Sequence, residues 1–162
     1  MTVKVLIHIG PPKSGTSAIQ YSLQKNRQKL AANGIYYPKH LTDVNGISSG
    51  NLSSIYDVSI KSRSINTAKV STLLAKCAEL NMHTLVLSSE FFFERITEIV
   101  AVLPQAKFIA YIRNPLDSFE SLYNQSVKRH HKVQPIKMSA KLPMLYLTRL
   151  YTLIDEFGAN KF

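Results

Sequence analysis

The 162-residue sequence predicts an α/β fold, a mostly parallel central sheet flanked by helices in a three-layer arrangement. Three observations carry this expectation. Short apolar runs at Val3–Ile9, Thr84–Ser88 and Lys107–Ile112 have the length of buried strands. Segments of helical periodicity separate them, and strand–helix–strand alternation makes βαβ units. Chemistry-bearing residues follow each run: Gly10–Thr16 after the first, Ser88-Ser89-Glu90 after the second and Arg113 after the third. Open α/β sheets bind ligands at those carboxyl ends.

Taken in order, Val3–Ile9 is the first strand and Gly10-Pro11-Pro12-Lys13-Ser14-Gly15 a turn. A helix starts near Thr16, with Ile19, Leu23 and Leu30 on one face and Gly34 at the left-handed position after its end. Ile35–Pro38 is a short extended piece. Lys39–Ser64 carries seven serines and no sustained period, and is expected as a long surface loop. Asn66–Leu80 is helical, with Val70, Leu73, Leu74, Cys77 and Leu80 on one stripe. Phe91–Leu103 is a helix stopped by Pro104. Asn114 caps the next helix, Pro115 opens it and Asp117 takes the capping-box position. That helix runs to about Lys128 and buries Leu116, Phe119, Tyr123 and Val127. Lys128–Lys132 opens a basic loop, and Leu142–Phe157 is a last amphipathic helix closed by Gly158. Residues 1–162 form one domain, without repeat or linker.

Composition narrows the function classes. Lys and Arg number 20 against 10 Asp and Glu, a net charge of +10 at pH 7, which points to anionic partners. Hydrophobic residues make up 45%, a globular rather than disordered composition. No apolar run approaches the roughly 20 residues of a membrane span, and the N-terminal run is too short for a secretory signal. A lone cysteine, Cys77, excludes an internal disulfide, and no histidine has metal-ligand spacing with it. A reducing, cytoplasmic setting is expected.

Gly10–Ser17 reads G-P-P-K-S-G-T-S, with the G-x-x-x-x-G spacing of a nucleotide P-loop. The Lys-Ser/Thr pair that should follow the second glycine is missing, and no strand ends in an aspartate suited to magnesium. An ordinary kinase or ATPase needs both parts. An anion cradle remains: backbone N–H groups, a helix N-terminus and the charge of Lys13. The competing reading is a glycine-bearing strand-to-helix turn with a surface lysine.

At this point the chain resembles a known family. Pro12-Lys13-Ser14-Gly15-Thr16-Ser17 is similar to the 5′-phosphosulfate loop of PAPS-dependent sulfotransferases (PAPS is 3′-phosphoadenosine 5′-phosphosulfate), in a context like that of bacterial and carbohydrate-type members. A second stretch, Tyr111-Ile-Arg113-Asn-Pro115-Leu-Asp117-Ser-Phe-Glu-Ser121-Leu-Tyr123, resembles that family's 3′-phosphate motif. Together with Gly34-Ile-Tyr-Tyr-Pro38, the resemblance covers most of the chain. It implies a P-loop-containing fold and transfer of a sulfuryl group from PAPS to a hydroxyl acceptor, carbohydrate among the candidates, without a metal. Pro12, Lys13, Ser14, Gly15, Thr16 and Ser17 would hold the 5′-phosphosulfate, and Arg113 and Ser121 the 3′-phosphate. Taken singly, Arg113 fits equally a surface ion pair with Asp117 or Glu120, and Ser121 a helix-surface serine.

The acceptor hydroxyl must lose a proton, and Glu90 stands directly after the second strand, where a general base is expected. Several carbohydrate sulfotransferases are similar in using a glutamate. Catalytic roles thus fall on Lys13 and Glu90, with His8 the alternative base. The competing readings are a helix-start residue for Glu90 and a packed core residue for His8. Cys77 and Phe91-Phe92-Phe93 read as core, and Lys128–Lys132 as a solvated face or an anion contact. Similar proteins continue beyond Phe162, so the chain is expected to be C-terminally incomplete or to complete its site as a homo-oligomer. Acceptor specificity is expected in 39–64 and 133–141. The alternatives are a catalytically inactive anion- or nucleic-acid-binding module and an atypical P-loop nucleotide kinase. Neither a membrane nor nucleic acid is the expected partner.

Overall fold

In the computed structural model, residues 2–44, 48–59, 63–131, 133, 135 and 141–162 are described, 141–145 by their backbone alone. Strand β1 (Lys4–His8) forms from the first apolar run, with Val5 and Ile7 buried. The loop after it leads into helix α1 (Thr16–Lys25). The single helix expected here is split: Asn26, at φ −98° and ψ 16°, turns its side-chain amide onto the Ser22 carbonyl at 2.9 Å, and α2 (Arg27–Ala32) follows. Side chains that bond nearby backbone carbonyls compete with a straight helix in this way. Ile19, Leu23 and Leu30 are only half-buried, and the fully buried residues of α1 are Thr16 and Gln20. The short strand β2 (Ile35–Tyr36) comes next.

The expected long surface loop needs correction. Residues 51–65 contain a 3-10 turn (Leu52–Ser54) and an antiparallel hairpin of β3 (Tyr56–Val58) and β4 (Arg63–Ile65). Asn51, Leu52, Ile55 and Tyr56 are buried in the core. The serines hid Leu52, Ile55 and Tyr56, which together supply enough apolar area to anchor the segment.

Helix α3 (Thr67–Glu79) is capped by Asn66, whose side-chain oxygen accepts from the Lys69 N–H at 3.0 Å. Val70, Leu73 and Cys77 are buried and Leu74 half-buried, as its stripe predicts, whereas Leu80 falls past the helix and is exposed. Strand β5 (Thr84–Ser88) follows. Residues Glu90–Arg95 then wind as a 3-10 helix before α4 (Ile96–Val102), not as one α-helix from Phe91. Phe92 and Phe93 are buried in the 3-10 segment, and Ile96 and Ile99 in α4.

Strand β6 (Lys107–Ile109) stops three residues before the predicted end. Its partner among the described residues, β1, enters the loop at that level, the last bond being Ile9 N–H to the Ile109 carbonyl at 2.9 Å, so among those residues Tyr111 and Ile112 have no strand to pair with. Helix α5 (Pro115–His130) starts at Asn114, whose side chain accepts from Leu116 N–H at 2.9 Å. Its buried face also differs from expectation: Leu116 is exposed, Phe119, Tyr123 and Val127 are half-buried, and Ser118 is the buried residue. Helix α6 (Lys141–Phe157) brings Leu150 and Leu153 into the core and ends at Gly158. Of the basic run and of 133–141, Lys132, Gln134 and 136–140 lie outside the described residues.

The molecule is an α/β fold. Its main sheet has the order β2-β5-β1-β6, and every pairing in it is parallel. From β1 the chain crosses to the β2 edge, and from β5 it crosses the other way to β6. With right-handed crossovers, these connections occupy opposite faces. The loops leaving β1 and β5 therefore part from each other, which opens a crevice between two adjacent strand ends. Among the described residues no helix is long and apolar enough to cross a membrane.

Candidate functional site

The crevice is built from the loop after β1. Gly10 lets that loop close, because a Cβ there would stand 2.2 Å from Thr16 Cγ2 and 2.8 Å from Ser14 Oγ. Lys13 and Gly15 both take left-handed backbone, at φ 69° and 88°. A lysine seldom adopts that conformation, and alternating hands turn successive N–H groups toward one side. Ser14 turns inward, donating its hydroxyl to the Pro11 carbonyl at 2.7 Å. The N-terminus of α1, with Thr16 as its first residue, then faces the crevice.

Across the crevice, Ser89 and Glu90 leave the end of β5. The Thr16 hydroxyl donates to the Glu90 Oε1, joining the two strand ends. From the third strand end, the Arg113 guanidinium donates to the Lys13 carbonyl at 3.4 Å and stands 4.0 Å from Asp117. The surface ion pair with Asp117 is thus present, at the outer limit of such contacts and about half exposed, where it contributes little.

One cleft of about 780 Å³ gathers these groups, lined by Pro12, Lys13, Gly15, Thr16 and Ser17 with Glu90, Arg113 and Ser121. Of the sequence-predicted residues, Ser14 and the alternative base His8 do not line it. Further residues also line it: Gln125, which the sequence did not mark, Arg129 from the basic run Lys128–Lys132, and residues of the 39–64 stretch expected to set acceptor specificity. Gln125 and Arg129 stand on α5 one and two turns after Ser121, and the i, i+4, i+8 spacing on one helix face could have found them. Asp43 comes from the loop after β2, with Ser48 and Ser49 beside it, and no spacing rule points to them. Lys13, Arg113 and Arg129 set cations around the cleft against the carboxylates of Asp43 and Glu90.

The wall formed by residues 40–44 and 48–51 is pinned from below. Ser88 N–H donates to the Asn51 side chain at 2.8 Å, and Asn51 N–H to the Ser88 carbonyl at 3.0 Å. Ser89 Oγ donates to the Ser49 carbonyl at 2.7 Å. Gly50 permits this approach, since a Cβ there would stand 1.8 Å from the Ser88 carbonyl oxygen. His40 bridges the Tyr37 hydroxyl at 3.1 Å and Ser48 Oγ at 2.7 Å, and burial pushes its pKa down.

His8, the alternative base, does not line the cleft. It is 4% exposed at the end of β1, its Nδ1 2.8 Å from the Ser88 hydroxyl, and burial holds its pKa below the usual histidine value. Its Nε2 lies 3.4 Å from where a Cβ on Gly10 would be, beneath the loop. Cys77 is buried, and burial raises its thiol pKa, as suits a core residue. Among the described residues no cluster of His, Cys, Asp and Glu could hold a metal ion.

Compared with family models, curated proteins and solved structures, the chain matches none.

Proposed function

We propose that this domain binds PAPS and transfers its sulfuryl group to a hydroxyl acceptor. The observation that carries the reading is the convergence of Lys13, Thr16, Ser17, Glu90, Arg113 and Ser121, from three strand ends, on one cleft of about 780 Å³. That volume suits a nucleotide. The α1 N-terminus, the loop N–H groups and Lys13 favour the 5′-phosphosulfate, and the Arg113 fork and the Ser121 hydroxyl the 3′-phosphate. In the reaction the acceptor oxygen bonds to sulfur as the sulfur–oxygen bond to the 5′-phosphate breaks. Glu90 takes the hydroxyl proton, and the bond's electron pair leaves with adenosine 3′,5′-bisphosphate (PAP). Lys13 stabilises the charge gathering on that departing phosphate. Thr16 steadies Glu90 through one oxygen, and the other carboxylate oxygen stays available for the proton.

Calorimetric titration tests this reading. PAP should bind without magnesium and more tightly than 5′-AMP, and Arg113→Ala should narrow the difference by roughly 1.5–3 kcal/mol, the scale of a charge-assisted contact. Equal affinity for PAP and AMP, or preference for ATP–magnesium or an oligonucleotide, would refute it.

A further inference from the structure

A second cavity, of about 450 Å³, adjoins the first and shares Pro12, Glu90 and Phe91 with it. Its other walls are Phe93, Tyr146, Glu94, Arg95 and Arg63. Glu90 thus stands at the junction of the two spaces. Phe91 and Tyr146 offer aromatic surface, with the buried Phe93 behind Tyr146 in edge contact at 5.9 Å. The two arginines differ. Arg95 is taken, its guanidinium 3.0 Å from Glu98 and 5.6 Å above the Tyr56 ring. Arg63 lies over the Phe91 face at 3.9 Å, and among the described residues no carboxylate pairs with it. Stacking fixes the plane of a guanidinium while leaving its N–H donors for a ligand. The acidic groups in this cavity are Glu90, at the shared wall, and the exposed Glu94.

We propose that this cavity is the acceptor site and that Arg63 selects acceptors carrying a carboxylate or similar oxyanion, apart from the hydroxyl that is modified. The assignment rests on the donor reading above. A ring of one or two units fits the volume, its hydroxyl at Glu90 and its anion at Arg63. Glu90 and Glu94 repel the anion from the other parts of the cavity, which sets the orientation of the acceptor. The +10 net charge draws such a molecule in.

The test uses two shape-matched pairs that differ in charge, titrated into PAP-saturated protein: methyl glucuronide against methyl glucoside, and 4-hydroxybenzoate against 4-hydroxybenzamide. The charged member of a pair should bind at least tenfold more tightly, the scale of one charge-assisted contact, and Arg63→Gln should bring that ratio near one. Thermal melting of the variant checks its fold. Equal binding within both pairs, preference for the neutral members, a ratio that survives Arg63→Gln, or no binding by any of the four would overturn the assignment while PAP binding leaves the donor reading standing. If PAP itself does not bind, the donor reading falls, and the same titrations without PAP decide whether Arg63 holds an anion.

Discussion

Asn51 offers a stability test that does not depend on the chemistry of the cleft. Its side chain is fully buried and accepts the Ser88 N–H at 2.8 Å, at the end of β5 where the sheet has no other partner for that donor. Asn51→Ala leaves a buried N–H unpaired, which costs about 1–3 kcal/mol. It also removes three heavy atoms, and a cavity of about 30 Å³ at about 24 cal/mol per Å³ adds about 0.7 kcal/mol. The expected loss is about 2–4 kcal/mol. With a urea slope of about 2 kcal/mol per molar, the unfolding midpoint should fall by about 1–2 M. Asn33 supplies the control: its amide also bonds the backbone, here donating to the Lys29 carbonyl at 2.8 Å, but it is exposed, so Asn33→Ala should change stability by less than about 0.5 kcal/mol. Equal midpoints for Asn51→Ala and Asn33→Ala would refute the argument that the buried bond, and not the amide itself, holds the wall of the cleft to the sheet.

Two further outcomes are expected. His8 and His40 both have pKa values lowered by burial, so the unfolded chain takes up protons first as pH falls below about 6.5. Stability should therefore be fully present above that pH and decline on acidification, by at most about 1.4 kcal/mol per pH unit for each histidine. Urea midpoints between pH 5 and 7.5 report this, and His8→Gln should flatten the curve; a pH-independent midpoint in the parent would contradict it. Under the proposed chemistry, Glu90→Gln should lower kcat by about 10²–10⁴-fold with PAP affinity nearly unchanged, measured by labelled sulfuryl transfer and calorimetry. A folded variant with parent kcat would move the base elsewhere.

The parallel strands were legible because Val3–Ile9 and Thr84–Ser88 are apolar on both faces, a pattern few other structures need. The loop between Gly10 and Thr16 was legible from glycine spacing alone. Two kinds of feature escaped. The β3–β4 hairpin sits in a serine-rich stretch whose few apolar residues act together only once folded against α3 and Phe92. The end of β6 depends on where β1 turns away, a property of the partner strand that the Lys107–Ile112 run does not contain. The candidate cleft divides similarly. Lys13, Glu90, Arg113 and Ser121 follow strand ends or helix spacing, whereas Asp43 and the Arg63–Phe91 stack arise from loop and hairpin packing across long separations.

The central place of β1 bears on how the chain folds during synthesis. Both neighbours of the strand come much later, Thr84–Ser88 on one side and Lys107–Ile109 on the other. At roughly 5–20 residues per second, about 5–20 s separate synthesis of the strand from that of its second partner. Until Ser88 is made Val5, Ile7 and Ile9 have no strand to pair beside, and until Ile109 is made one edge of β1 stays open; pairing the two sides requires closing loops of roughly 80 and 100 residues. A nascent chain arrested before Ile109 should consequently present this apolar segment to chaperones, and one arrested well after it should not.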